Sequence, residues 1–115
     1  MKLMILILAI AMVESGGNTE AVNQTENAVG WLQIRPICVQ DVNRILGEHR
    51  FKLADRCSKE KSIQMFKIYT EHYIKAYKLE DTFENRARIW NGGPKGYKKN
   101  STLKYWEKVR KEIKQ

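Results

Sequence analysis

The sequence predicts a mostly α-helical domain with a short irregular or hairpin region after its first helix. Two observations lead to this prediction. Residues 59–78 place apolar side chains at helical spacing, and residues 3–13 form an unbroken apolar run. Residues 18–34 begin, by contrast, as a small and polar stretch with little helical period. With 115 residues, 43% of them hydrophobic, the chain can bury the core of a single domain spanning residues 1–115.

The first two helices are predicted from their composition and their ends. Residues 3–13 are apolar all round, so we expect other parts of the protein to enclose this helix on every side. The pair Gly16–Gly17 is expected to end it, because glycine adopts a left-handed turn at no steric cost. Residues 18–30 then form a loop or a short hairpin. A second helix is predicted from Pro36, which fits the first helical turn, to about Leu46.

Three further helices complete the prediction. The clearest covers residues 59–78, and four of its side chains are expected to be core residues: Met65, Phe66, Tyr69 and Tyr73. A helix over residues 83–90 leads into WNGGPKG, a turn rich in glycine and proline. Ser101 or Thr102 is expected to cap a last helix that ends near Lys114.

The net charge of +8 is concentrated near the end of the chain, where residues 95–115 hold eight Lys or Arg residues against two Glu residues. Such a surface attracts polyanions, which include nucleic acids, acidic lipid headgroups and the anionic polymers of a bacterial wall, or it is a solvated helix face. No apolar stretch approaches the roughly 20 residues of a membrane-spanning helix, so we expect no membrane span.

The cysteines and histidines give no metal or cofactor signature. Cys38 and Cys57 are too few for a disulfide framework, and both are expected to be buried thiols beside apolar residues. His49 and His72 stand alone in polar settings and are expected at the surface. Without a CxxC pair or a Cys/His cluster, we expect neither a metal nor a cofactor.

The apolar N-terminus has a second interpretation, a secretion signal. Lys2 provides a positive start, and Ala9 and Ala11 have the spacing of a cleavage site. Signals usually run to about 15–30 residues, however, and cleavage here would come earlier and remove the main apolar helix. We therefore expect this helix to be retained and no signal peptide to be cleaved.

Glu14 lies in the last turn of the apolar helix, an arrangement suited to general acid catalysis. Burial raises the pKa of a carboxyl group, because the charged form loses its hydration. Such a glutamate keeps its proton near neutral pH and can donate it to a leaving oxygen. The alternative is a glutamate that only solvates the end of the helix.

Four motifs, in register along the chain, resemble those of one enzyme family. They are VESGGN at 13–18, AVN at 21–23, GWLQI at 30–34 and IWNGGP at 89–94. Followed by a helix that opens with Thr102 and an aromatic residue, they are similar to the lysozyme-like lytic transglycosylases. Members of that family have an apolar helix ending in Glu-Ser, then Ala-Val-Ser, Gly-Leu-Met-Gln-Ile and Ala-Tyr-Asn-Ala-Gly-Pro. The resemblance covers nearly the whole chain, implies an α+β lysozyme-like fold, and is greatest to phage-type members.

The resemblance implies an enzyme that cleaves the glycan strands of peptidoglycan, with Glu14 as its sole catalytic residue. Glu14 would protonate the β-1,4 oxygen that links N-acetylmuramic acid to N-acetylglucosamine. It would then take the proton of the muramic C6 hydroxyl as that oxygen closes on C1, leaving a 1,6-anhydro end. The substrate's acetamido group would stabilise the oxocarbenium-like state, so the second carboxylate of ordinary glycosidases is not needed.

The same resemblance implies six substrate-binding residues: Ser15, Asn23, Gln33, Trp90, Asn91 and Tyr97. Gln33 matches the family's Gln and would bind the sugar or its acetamido group, and Asn23 stands where the family has Ser. Trp90 replaces a Tyr, so it can stack on a sugar but has no phenol oxygen for a hydrogen bond to Glu14. Asn91 matches the family's Asn, although it could equally anchor the turn.

Other functions remain as alternatives. A second carboxylate, Glu20 or Glu26, would position a water molecule and make the chain a muramidase, that is, a hydrolytic lysozyme. A basic protein that binds nucleic acid through residues 95–114 would lose affinity steeply with salt, but the sequence has no zinc signature, heptad repeat or convincing helix-turn-helix pair. The third alternative is a wall-binding module without activity.

As an enzyme, the chain would take peptidoglycan strands as its partner, would need no nucleic acid and is expected to be a monomer. With its first helix retained, it would be made in the cytoplasm and reach the wall with a holin-like partner or as part of a phage.

Overall fold

In the computed structural model, which describes residues 2–114, helices surround a small antiparallel hairpin. The elements in chain order are α1 (Lys2–Ser15), β1 (Val22–Asn23), β2 (Ala28–Val29), α2 (Pro36–Leu46), α3 (Lys59–Ala76), α4 (Phe83–Gly92) and α5 (Ser101–Ile113). Two short 3₁₀ helices, Leu53–Cys57 and Gly96–Lys98, lie in the connections that precede α3 and α5. The predicted mostly α-helical fold with a hairpin after the first helix is confirmed.

Helix α1 packs one side against α4 and α5 and exposes the other. Leu6, Ile7 and Ile10 are fully buried, because they face the core. Ile5, Leu8 and Met12 recur at helical spacing on the opposite side, and each is about half exposed. The prediction that protein encloses this helix on every side is therefore wrong, because an apolar run of this kind can also form one wall of a domain.

The segment between α1 and α2 forms the hairpin. Val22 pairs with Val29, and Ile34 forms a further bridge with Val29, so the chain doubles back twice within a short distance. Gly30 makes this possible, because its φ is +92° and a Cβ there would lie 1.8 Å from the carbonyl oxygen of Arg56. The backbone at Gly30 therefore lies directly against that of Arg56.

Helix α2 has the predicted bounds. Pro36 occupies its first position, and Gly47 ends it in the left-handed conformation with a φ of +71°. The hydrogen-bond partners of Asn43 connect the end of α2 to the next segment, since its side chain pairs with both the N–H and the carbonyl of Phe51. The 3₁₀ helix Leu53–Cys57 was not predicted, because its five residues show no helical period.

The last three helices differ from the prediction mainly at their ends. Helix α4 continues into the glycine-rich turn as far as Gly92, and α3 ends at Ala76. The prediction that Ser101 or Thr102 caps helix α5 is wrong, because both residues lie inside the helix. The hydroxyl of Thr102 instead points into the protein, where it donates to the carbonyl of Gly96.

One cluster of buried side chains forms the core, with contributions from α1, the hairpin loop and α2–α5. Met65 and Phe66 are fully buried, as predicted, and Trp31 is a core residue, 3% exposed.

The prediction that both cysteines are buried thiols is wrong, because Cys57 is exposed and Cys38 is only partly buried. Cys57 lies at the end of the 3₁₀ helix Leu53–Cys57, and Cys38 packs against the core from the first turn of α2. In residues 2–114, no helix has the length and apolar character needed to cross a membrane.

Candidate active site

A cleft of about 770 Å³ opens between the end of α1, the hairpin, α2, the middle of α3 and the end of α4. Its wall includes Glu14, Asn23, Gln33, Trp90 and Asn91. These five are members of the set that the sequence singled out, and they come from four separate segments of the chain. The fold therefore brings most of the predicted site residues to one cavity.

Glu14 faces this cleft from the last turn of α1, where its side chain is partly buried. Burial raises the pKa of its carboxyl group to about 7, since the ionised form loses hydration there. A hydrogen bond from Tyr105 and the charge of Arg35 lower this pKa in part, whereas the charge of Glu26 raises it. Near neutral pH, Glu14 thus exists in both its protonated and its ionised form, as a group that acts first as an acid and then as a base requires.

Tyr105 is a site residue that sequence reasoning missed. Its phenol donates a 2.9 Å hydrogen bond to Oε2 of Glu14, and the ring is buried. Tyr105 therefore makes the hydrogen bond to Glu14 that Trp90, which has no phenol oxygen, cannot make. The signal in the sequence was the helical spacing of Thr102, Tyr105 and Val109, which places all three on the buried face of α5.

Trp90 lies between the core and the cleft. Its indole N–H donates to the carbonyl of Leu32 at 3.3 Å, and its ring packs against those of Phe66 and Tyr69. The ring is thus fixed by contacts on the protein side while it lines the cleft. Because this N–H is used on Leu32 and the side chain has no phenol oxygen, Trp90 donates no hydrogen bond to Glu14.

Gln33 is held in an unusual conformation beside the cleft. Its φ is +53°, a left-handed conformation that non-glycine residues seldom adopt. Its side-chain nitrogen donates to the carbonyls of Ala21 at 3.1 Å and Gly30 at 3.0 Å. Since both amide N–H groups are used, the amide oxygen is the group that remains to accept a hydrogen bond from a ligand.

Ser15 and Tyr97, which were predicted to bind substrate, are not among the residues that line the cleft. The Ser15 hydroxyl lies 2.7 Å from the carbonyl of Trp31 and so connects α1 to the loop after the hairpin. Tyr97 packs its ring on that of Tyr77, with 5.6 Å between centroids. Their position indicates structural roles, because neither side chain reaches the cavity.

Glu26 and Arg35 form an ion pair at the edge of the same cleft. Of the two candidate second carboxylates, Glu26 on the hairpin lines the cavity and Glu20 does not. The backbone of Glu26 is also anchored, because its N–H donates to the side-chain oxygen of Asn23. The partner Arg35 was not recognised from the sequence, where it is only the residue before Pro36.

Three polar residues form a second cluster in the cleft wall. Tyr73 donates to Oδ2 of Asp41 and accepts a hydrogen bond from Arg44, whose Nε lies 2.8 Å from Oδ1 of Asp41. Tyr73 and Tyr69 are buried, as predicted, but both also line the cavity. Burial raises the pKa of Tyr73 to about 12, so its phenol keeps its proton. The prediction that these tyrosines belong to the core alone is therefore incomplete.

Residues 2–114 contain no group of three or more His, Cys, Asp or Glu side chains that could hold a metal ion.

Comparison with known proteins shows that this chain is similar to a transglycosylase domain family and to lysozymes. The model of a family described as the transglycosylase SLT domain matches residues 3–112. The chain is 44% identical to a lysozyme of Magallana gigas over 46 residues, which cover 40% of this chain and 34% of that protein. It is 37% identical to a lysozyme of Ostrea edulis over 51 residues, or 44% of this chain and 37% of that protein. The chain thus spans about a third of the length of these relatives.

Solved structures extend the likeness to the whole fold. The crystal structure of Tapes japonica lysozyme is similar with a TM-score of 0.80 at 24% identity, over 93% of this chain and 87% of that one. A chain in the crystal structure of Aeromonas hydrophila PliI in complex with Meretrix lusoria lysozyme has a TM-score of 0.79 at 26% identity, with the same coverage. The predicted lysozyme-like fold is confirmed.

Proposed function

Because the chain belongs to the transglycosylase SLT domain family, we propose that it is a peptidoglycan lytic transglycosylase in which Glu14 is the general acid and then the general base. The bond that breaks is the β-1,4 linkage between N-acetylmuramic acid and N-acetylglucosamine. The single observation that carries this proposal is the partly buried Glu14 at the cleft, with its pKa raised to about 7.

The reaction uses one carboxyl group twice. Protonated Glu14 donates to the glycosidic oxygen, the C1–O4 bond breaks, and the acetamido group of the substrate stabilises the positive charge at C1. Glu14, now a carboxylate, takes the proton of the C6 hydroxyl while O6 forms a bond to C1. The products are a 1,6-anhydro end and a free N-acetylglucosamine end, and Glu14 has regained its proton.

The two carboxyl oxygens of Glu14 have different roles because they have different hydrogen-bond partners. Tyr105 donates to Oε2, so Oε1 is the oxygen that carries the exchanged proton. The same hydrogen bond stabilises the carboxylate that exists between the two steps, because a bond to an ionised acceptor is stronger than one to a neutral acceptor. Gln33 offers its amide oxygen to an N–H or O–H group of the sugar, and Trp90 offers a ring face.

The test is mass spectrometry of the soluble fragments that the protein releases from purified peptidoglycan. We expect anhydro-ended fragments from the wild-type chain and none from Glu14→Gln. Glu20→Gln is the matched control, because Glu20 is a nearby glutamate that does not line the cleft, and it should release fragments at the wild-type rate. Fragments from Glu14→Gln, or none from the wild-type chain on walls of several bacteria, would contradict the proposal.

Hydrolysis is the second candidate, and it is favoured by the position of Glu26. This carboxylate lines the cleft with Glu14 and forms an ion pair with Arg35. An ionised carboxylate there could orient a water molecule or stabilise the positive charge at C1, as in glycosidases that use a carboxylate pair.

Digestion in ¹⁸O-labelled water separates the two reactions. Hydrolysis would give reducing ends that contain ¹⁸O and would be lost in Glu26→Gln but not in Glu20→Gln. Transglycosylation gives anhydro ends without label, and Glu26→Gln would keep most of the activity.

A further inference from the structure

The cluster of Asp41, Arg44 and Tyr73 has no part in the reaction just described, although it lines the same cleft. Its hydrogen bonds close a ring, because each oxygen of Asp41 has a different partner and the Tyr73 hydroxyl both donates and accepts. Tyr73 is 8% exposed, so the ring is anchored on a buried group. The guanidinium of Arg44 is thereby fixed in one orientation at the cavity wall.

Arg44 nevertheless faces solvent. Its side chain is 63% exposed, and Nε and Nη2 make the bonds of the ring. Its Nη1 makes no hydrogen bond to any residue in the described range 2–114. A pre-oriented guanidinium nitrogen with two free N–H groups is suited to donate hydrogen bonds to a carboxylate oxygen of a ligand.

The position of Arg44 places this nitrogen away from the reacting bond. Arg35 lies directly before α2 and its charge acts on Glu14, whereas Arg44 comes nine residues later. At 1.5 Å per residue, that separation is about 13 Å along the helix. A ligand group that meets Arg44 therefore belongs to a part of the substrate other than the cleaved linkage.

The charges of the cleft favour an anionic substrate. Three cationic side chains line it, Arg35, Arg44 and Lys99, against the carboxylates of Glu26 and Asp41 when Glu14 holds its proton. Lys99 contacts the carbonyl of Gly92 at 2.7 Å and no carboxylate of residues 2–114 within 4 Å. A glycan without acidic groups would form no ion pair with this excess of positive charge.

We propose that Arg44, oriented by Asp41 and Tyr73, binds a carboxylate of the peptide stem that peptidoglycan strands carry on N-acetylmuramic acid. The proposal rests on the proposed function, and it makes Arg44 a specificity-determining residue for strands with stems. Asp41 and Tyr73 are positioning residues that act through Arg44. An exposed ion pair adds little to folding stability, so a purely structural role would give the same small effect on every substrate.

The experiment compares kcat/KM on two soluble substrates: glycan strands with their peptide stems, and strands from which an amidase has removed the stems. The amidase hydrolyses the amide bond between the stem and the lactyl group, so each muramic acid of the second substrate has a new lactyl carboxylate. The second substrate therefore tests this nearer source of negative charge. The variants are Arg44→Gln and the control Arg50→Gln, an exposed arginine that is paired with Glu48 and lies outside the cleft.

We expect Arg44→Gln to lower kcat/KM about five-fold on strands with stems, the effect of one exposed charged contact, and to leave stripped strands unchanged. Arg50→Gln should change neither. Equal losses on both substrates, a loss on stripped strands alone, or no loss on either would overturn the inference while the proposed function stands. If the wild-type chain cleaves neither substrate, the proposed function fails and this inference with it.

Discussion

The phenol of Tyr105 donates a 2.9 Å hydrogen bond to Oε2 of Glu14 and so joins the last helix of the fold to the end of the first. Two effects act on the pKa of Glu14 in opposite directions. Burial raises the pKa of Glu14, and the hydrogen bond lowers it without cancelling the rise, which leaves a value of about 7. The acid strength of the site therefore depends on both helices.

Removal of the phenol tests this dependence. In Tyr105→Phe, the pKa of Glu14 should rise further, because the bond that favours its ionised form is lost. We expect the alkaline limb of kcat/KM to move to higher pH and the maximal rate to fall about ten-fold, the usual weight of a hydrogen bond to a charged group. The measurement is a pH–rate profile beside Tyr77→Phe, which alters a tyrosine outside the cleft. An unchanged profile would mean that Tyr105 does not act on Glu14.

Glu14 should also make folding stability depend on pH. Its pKa is about 7 in the folded protein against 4.5 without the fold, so the unfolded chain releases its proton first as pH rises. Stability from this group is fully present below pH 4.5 and is lost as pH rises to about 7, at a cost on the order of 3 kcal/mol. Glu14→Gln should remove that loss, so it should be more stable than the wild-type chain above pH 7. Urea unfolding at pH 4 and pH 8 measures the difference, and an equal gain at both pH values would argue against a raised pKa.

Gly30 should tolerate no side chain. Gly30→Ala places a Cβ 1.8 Å from the carbonyl oxygen of Arg56, so the backbone must move, and we expect a loss of about 3 kcal/mol or more. Gly47→Ala is the matched control, because Gly47 also has a positive φ but no atom within 4 Å of the added Cβ. It should lose only about 1 kcal/mol. Equal losses in denaturant titrations would show that backbone conformation alone decides both effects.

The two sides of α1 should differ in their contribution to stability. Leu6 is fully buried, so Leu6→Ala should cost about 2–5 kcal/mol. Leu8 is 49% exposed, so Leu8→Ala should cost less than about 1 kcal/mol. Thermal unfolding of the two variants checks this difference. A large loss for Leu8→Ala would mean that its side of the helix is covered in solution.

Local signals were sufficient for most of the helices and for the hairpin, because helical period, Pro36 and the glycines act over a few residues. Glu14 could be found in the same way, since an acid that ends an apolar run stands out. Gln33 and Asn91 depended on motifs, and their place at the cleft could not follow from local pattern.

What the sequence did not reveal depends on contacts between distant segments. The exposed side of α1 could not be predicted, because Leu6 and Leu8 are the same residue type and only tertiary packing distinguishes them. Tyr105 and Arg35 were missed for a related reason, since each acts on Glu14 from another element. The ring around Arg44 likewise needs α2 and α3 side by side, which no pattern within either helix specifies.

The order of these elements along the chain has a consequence for biosynthesis. Glu14 and Tyr105 are 91 residues apart, so a growing polypeptide carries the glutamate long before the tyrosine has been made. Until α5 docks, α1 lacks the helix that covers its inner side, and Glu14 is a solvated carboxylate of ordinary acidity. A chain that lacks α5 therefore leaves Glu14 without the hydrogen bond from Tyr105 and without the burial that raises its pKa.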